Sequence, residues 1–171
     1  HHLDAPWAKP NIFDPAFDDT QHLSVDSLAR LDYFIAQLKT RGIYVYLDLL
    51  VSRKFKAGDN VPAYQELRKG AKIVAEYDPW LIELQKRYAR DLLTHYNPYT
   101  KTRLVDEPTI ALVEIINESS LFQLPKRISW TPQIYLDGLR ELWTTHLADQ
   151  DMPNSEEEAD RFLDFDDPQV Q

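Results

Sequence analysis

The chain has 171 residues, a net charge of −9, a pI near 5.0 and no cysteine. That length allows one domain with a real core and excludes two comfortable ones, and the lack of cysteine excludes disulfides and thiolate chemistry. No basic run is long enough to track a phosphate backbone, which argues against nucleic acid, and no run is apolar for the length of a membrane span. The acidic surface suits a neutral substrate. The first residue is not Met and no signal peptide opens the chain, which leaves room for an upstream segment. His1-His2 also reads as a tag remnant.

His1 to Gln21 carries Pro6, Pro10 and Pro15 without periodicity. It reads as an ordered loop anchored by Trp7, Phe13 and Phe17. His1, His2 and Asp4 are close in sequence, but their spacing matches no strong metal motif, and no metal or cofactor is expected. Ser24 is a helix N-cap with Asp26 in the first turn. Leu28, Leu31, Ile35 and Leu38 then recur at helical spacing, and Gly42 follows as a C-cap, so a helix is expected over Val25–Arg41.

Ile43–Val51 is aromatic and β-branched and reads as a strand buried throughout except at Asp48. The connection from Lys54 to Asp78 is longer than ordinary ones, which marks it as a candidate functional loop. Asp78-Pro79 starts a second helix running to about His95, with Leu81, Leu84, Tyr88 and Leu92 on one stripe. Asn97-Pro98-Tyr99 breaks it.

Thr109–Ile116 is nearly continuously apolar and reads as a strand buried on both faces. The order strand, helix, strand implies a parallel, right-handed crossover. The second strand stops at Asn117-Glu118, where a buried parallel strand surfaces and where α/β proteins place their chemistry. Glu118 is therefore the first candidate for a reacting group. The plainer reading is a loop start, with Asn117 turning the chain and Glu118 solvated or capping a helix. Pro132 opens a last clear helix to about Ala148, and the acidic tail from Asp149 allows a short helix at Glu156–Leu163.

Together, His1-His2-Leu3-Asp4, the strand end Leu49–Arg53, the turn Asn97–Thr100 and the strand Ala111–Glu118 resemble the retaining glycoside hydrolases of the clan that includes the family 5 cellulases. The likeness runs from His1 to about Phe122. It implies a (β/α)8 barrel of which this α/β chain is the part from the end of strand two to helix four. It also implies that Glu118 is the general acid/base and that Asn117 bonds the 2-hydroxyl of a carbohydrate substrate. His2, just beyond strand two, joins them in binding. Trp130 lies in the loop after Glu118 and Trp7 in the loop beyond strand two, and such rings suit stacking on a sugar face, although Trp7 reads equally as an anchor of its own loop.

Three departures accompany the likeness. Relatives often carry His where Leu50 stands. A barrel needs eight strands and about 250 residues. The clan's nucleophilic Glu belongs at the end of strand seven, which is not in this chain. Glu114 shares a strand face with Glu118, but four residues of strand span about 13 Å, whereas retaining pairs stand about 5–5.5 Å apart. Glu114 instead calls for a buried partner such as Arg53. The expected partners are carbohydrate and either self-association or the remainder of a barrel. The other readings are a glycan-binding fragment or degenerate homologue without turnover, and a metal-dependent hydrolase using His1, His2 and Asp4.

Overall fold

The computed structural model describes residues 2–67, 71–121, 124, 128–150, 157–158 and 161. Within them the chain forms α1 (Val25–Lys39), β1 (Val45–Leu50), α2 (Ala71–Val74), α3 (Pro79–Leu93), β2 (Tyr96–Asn97), β3 (Thr102–Arg103), β4 (Ile110–Ile116) and α4 (Gln133–Asp149). The fold is mixed α/β, built on a parallel two-stranded sheet of β1 and β4. The expected tail helix at Glu156–Leu163 lies largely outside the described residues, as do His1 and Phe122.

Local chemistry sets the boundaries. Ser24 caps α1 by accepting from Ser27 N, and Asp78 caps α3 by accepting from Trp80 N and Leu81 N ahead of Pro79. Past α1, Gly42 takes φ +66° with no atom near its missing Cβ, the left-handed turn that glycine adopts without steric cost. The turn at Asn97–Thr100 is a hairpin: β2 pairs antiparallel with β3. Asn97 is fully buried. Its carbonyl accepts from Tyr99 N and Thr100 N, and its amide donates to Asp32 O. Those two-residue strands are too short to leave a periodic signal.

The sheet face toward the helices is made by Val45, Leu47, Leu49 and Ile110. They pack with Ile35 of α1, Tyr88 and Leu92 of α3, and Leu104. A second cluster joins Leu50, Phe55, Val61, Leu67 and Val74 to Leu81, Leu84 and Tyr135. The long connection after β1 is thus not a bare loop: it holds a 3-10 turn at Ala57–Asp59, helix α2 and several core residues.

Several expectations are overturned. Asp48, expected as the solvated exception in its strand, is fully buried, while Ile43, Tyr44 and Tyr46 are exposed. β4 is not buried on both faces: Leu112 is 60% and Ile115 67% exposed. The exposure has one cause: among the described residues each strand has a single neighbour, and α4 packs through Tyr135 and Leu139 onto residues of the 61–77 segment instead of covering β4. Of the expected loop anchors, Phe13 is buried, while Trp7 and Phe17 are exposed.

Candidate functional site at the strand ends

β1 and β4 run parallel with Leu50 opposite Ile116, so their carboxyl ends emerge together. Asn117 N donates to Leu50 O at 2.9 Å, which extends the ladder one residue beyond β4. Its side chain does not reach outward. Nδ2 donates to Glu114 Oε2 at 3.1 Å. Lys72 Nζ donates to Asn117 O at 2.6 Å, tying helix α2 to this strand end.

Glu118 follows in the left-handed region, at φ 47°. A residue with a Cβ is strained there by about 1–2 kcal/mol. Its side chain is exposed. Left-handed non-glycine residues recur at functional sites, where the surroundings hold them in place.

On the neighbouring strand end, Asp4 is 2% exposed and accepts from Val51 N at 2.9 Å and from Ser52 N at 3.2 Å. Burial pushes its carboxyl up, and the Val51 and Ser52 amides and the Arg53 charge offset part of that rise. Its oxygens are occupied by these amides, so Asp4 acts as a clasp on the strand end.

Arg53 does not partner Glu114 as expected. The guanidinium is 3% exposed. It donates to Thr20 Oγ1, Thr20 O and Leu84 O at 2.8, 2.7 and 3.2 Å. It also lies 4.9, 5.0 and 5.6 Å from the ring centres of Phe13, Phe55 and Tyr88. Desolvation lowers its pKa to about 10, against the charges of Asp59, Tyr88 and Asp4. The partners of Glu114 are Asn117 and Tyr46. The Tyr46 phenol is pushed up by desolvation, by the charges of Glu114 and Asp48, and by its hydrogen bond with Glu114.

A cleft of about 420 Å³ opens at the end of β1, lined by Trp7, Ser52, Lys54, Tyr64, Gln65 and Lys72 among others. That is within the usual range for small-molecule sites. Trp7 is 61% exposed, and the exposed His2 has its ring 6.1 Å from that of Trp7. The structure therefore brings Trp7 and Lys72 to the strand ends, with His2 beside Trp7. Trp130 lines a different cleft, with Glu66, Thr131, Pro132 and Leu136. Glu118 lines neither of them. The spacing of Lys54, Tyr64 and Lys72 along an irregular connection carries no sequence signal. The unusual length of that connection, which marks it as a candidate functional loop, is the hint the sequence offers. Among the described residues, no group of three or more His, Asp or Glu could hold a metal ion, and no helix is long and apolar enough to cross a membrane.

Compared with family models, curated proteins and solved structures, the chain matches none of them.

Proposed function

We propose that this chain carries the acid/base part of a retaining hydrolase of β-linked glycans, built on strands three and four of a (β/α)8 barrel. The observation that supports the reading is Asn117-Glu118 at the carboxyl end of a parallel strand, with Glu118 held in the left-handed region. In this mechanism Glu118 protonates the leaving oxygen, and a carboxylate on the opposite face of the sugar forms the glycosyl-enzyme intermediate. Glu118 then takes a proton from the attacking water. Asn117, His2 and Trp130 are the proposed sugar contacts, together with Trp7, whose exposure favours stacking over anchoring its own loop. Asn117 must turn from Glu114 to meet a 2-hydroxyl.

The nucleophile in this reading is none of the neighbouring acids. Glu114 and Asp48 stand opposite each other further down the strands, and Glu114 accepts from Asn117 Nδ2. Asp4 is occupied by backbone amides. The second carboxylate is proposed to come from the remainder of the barrel.

A second reading, glycan binding without turnover, draws on the cleft, which has Trp7 but not Glu118 in its lining. The discriminating experiment is hydrolysis of an aryl β-glycoside and of a natural glycan, with the chain alone and with the rest of the barrel supplied. Under the first reading, Glu118→Gln slows the natural glycan about 10²–10⁴-fold. It slows the activated substrate less, and azide restores part of that turnover. Glycan affinity with no turnover in any combination establishes the second reading.

A further inference from the structure

The cleft at the end of β1 differs in charge from the rest of the molecule. Acidic residues outnumber basic ones 28 to 19 in the chain, yet among the described residues the cleft lining contains Lys54, Lys72 and Arg53 and no carboxylate. The Arg53 guanidinium is turned into the core and committed to Thr20 and Leu84. Among the described residues, Lys54 and Lys72 are the ammonium groups of this lining. Lys54 is exposed, and Lys72 is fixed by its bond to Asn117 O at 2.6 Å. One positive charge therefore stands between the cleft and the Asn117-Glu118 pair. Trp7 and Tyr64 add aromatic surface to the same lining.

We propose that the glycan recognised here is anionic, with a carboxylate or sulfate group on the sugar seated between Lys54 and Lys72 and its ring against Trp7. This rests on the glycan reading above and refines its substrate class, in place of the neutral substrate that net charge alone suggests. A neutral sugar gains little from two ammonium groups, each of which must shed water to be contacted. An anionic sugar gains charge-assisted hydrogen bonds, roughly twice as strong as neutral ones. The acidic remainder of the protein repels such a ligand at long range, so its attraction is local to this opening. Lysine suits this task because its ammonium is a compact point charge with rotatable donors, tolerant of either a carboxylate or a sulfate.

The test is calorimetric titration of the chain with four probes of similar length: cellohexaose, its C6-oxidised uronate form, a sulfated form, and hexaglutamate. The uronate or the sulfated sugar should bind about tenfold tighter than cellohexaose at low salt, and which of the two does so identifies the anion. That preference should shrink as salt rises. Lys54→Ala, at an exposed position, should remove most of the preference, and Lys54→Arg should keep it. Equal affinity for neutral and charged sugars, unchanged by Lys54→Ala, overturns the anionic proposal and leaves the glycan reading standing. Hexaglutamate binding as tightly as the charged sugars overturns it too, since the cleft would then recognise charge alone. Binding of no hexasaccharide overturns both readings.

Discussion

Asp48 and Glu114 stand opposite each other across the parallel pair β1–β4. They place two carboxylates side by side on one sheet face, and Asp48 is fully buried. Like charges directly across a sheet destabilise it. The arrangement is tempered by the Tyr46 phenol and the Asn117 amide, which both bond Glu114. Glu114→Gln should relieve the repulsion and raise stability by about 0.5 kcal/mol. The Tyr46 phenol should then titrate at lower pH, because one charge that holds it up is gone. Ultraviolet difference titration against a Tyr46→Phe control reads the second effect, and an unmoved phenol would show that the two groups do not interact.

Glu107 is 2% exposed and joins three segments. It accepts from Lys39 Nζ at 3.0 Å, from Thr102 Oγ1 at 2.8 Å and from Thr109 N at 3.1 Å. Burial alone would raise its carboxyl, but these donors outweigh it and hold the pKa at about 2. A depressed carboxyl adds stability above its unfolded value, and that stability is lost as pH falls toward the folded value. The chain should therefore weaken progressively from about pH 4.5 down to about pH 2. Glu107→Gln should cost about 2 kcal/mol at neutral pH and flatten this acid limb. Urea melts at several pH values test both, and an acid limb of unchanged slope in the variant would count against the assignment.

Glu118 sits at φ 47°, so Glu118→Gly should separate strain from chemistry. Glycine occupies this region freely, and the variant should gain stability, up to about 1 kcal/mol. Any acid/base activity should be lost at the same time. A variant that is less stable by denaturant melt would mean that the Glu118 side chain makes a stabilising contact.

The exposed side chains of β4, and an edge that pairs with no strand among the described residues, should drive association. Leu112, Val113 and Ile115 are open on the two faces of the strand, and a sheet of two strands is marginal alone. Sedimentation should show concentration-dependent association. Leu112→Lys together with Ile115→Lys should shift the chain toward monomer, and a monomer at every concentration before substitution would refute the expectation.

The helices and the parallel pair were legible because their signals are local: caps at Ser24 and Asp78, a glycine at position 42, and apolar periods of 3.6 or continuous runs. Burial was not, because it depends on what lies beside a strand. The β4 sequence is apolar enough for a covered strand, yet Ile115 is open. Asp48 reads as solvated by residue type, yet its strand position buries it. The partners of Arg53 were equally hidden, since Thr20 and Leu84 lie more than thirty positions away in either direction. Of the candidate site, the strand-end pair Asn117-Glu118 was visible. The cleft was not, because Trp7, Lys54, Tyr64 and Lys72 meet only through the path of irregular segments.

The N-terminal loop has almost no regular structure, yet it is fastened at several points. Asp4 clasps the end of β1, and Thr20 N and Oγ1 both donate to Asp59. Gly58 approaches Asp18 so closely that a Cβ there would lie 2.4 Å from its carbonyl oxygen. Sequence drift in such a chain is therefore distributed against intuition. The outer faces of the helices make few such contacts, while the least regular stretch is held by many. A side chain at Gly58 would strike the Asp18 backbone, and loss of the Thr20 hydroxyl would leave Asp59 without one of its donors, so a change in one of these two loops is felt directly in the other.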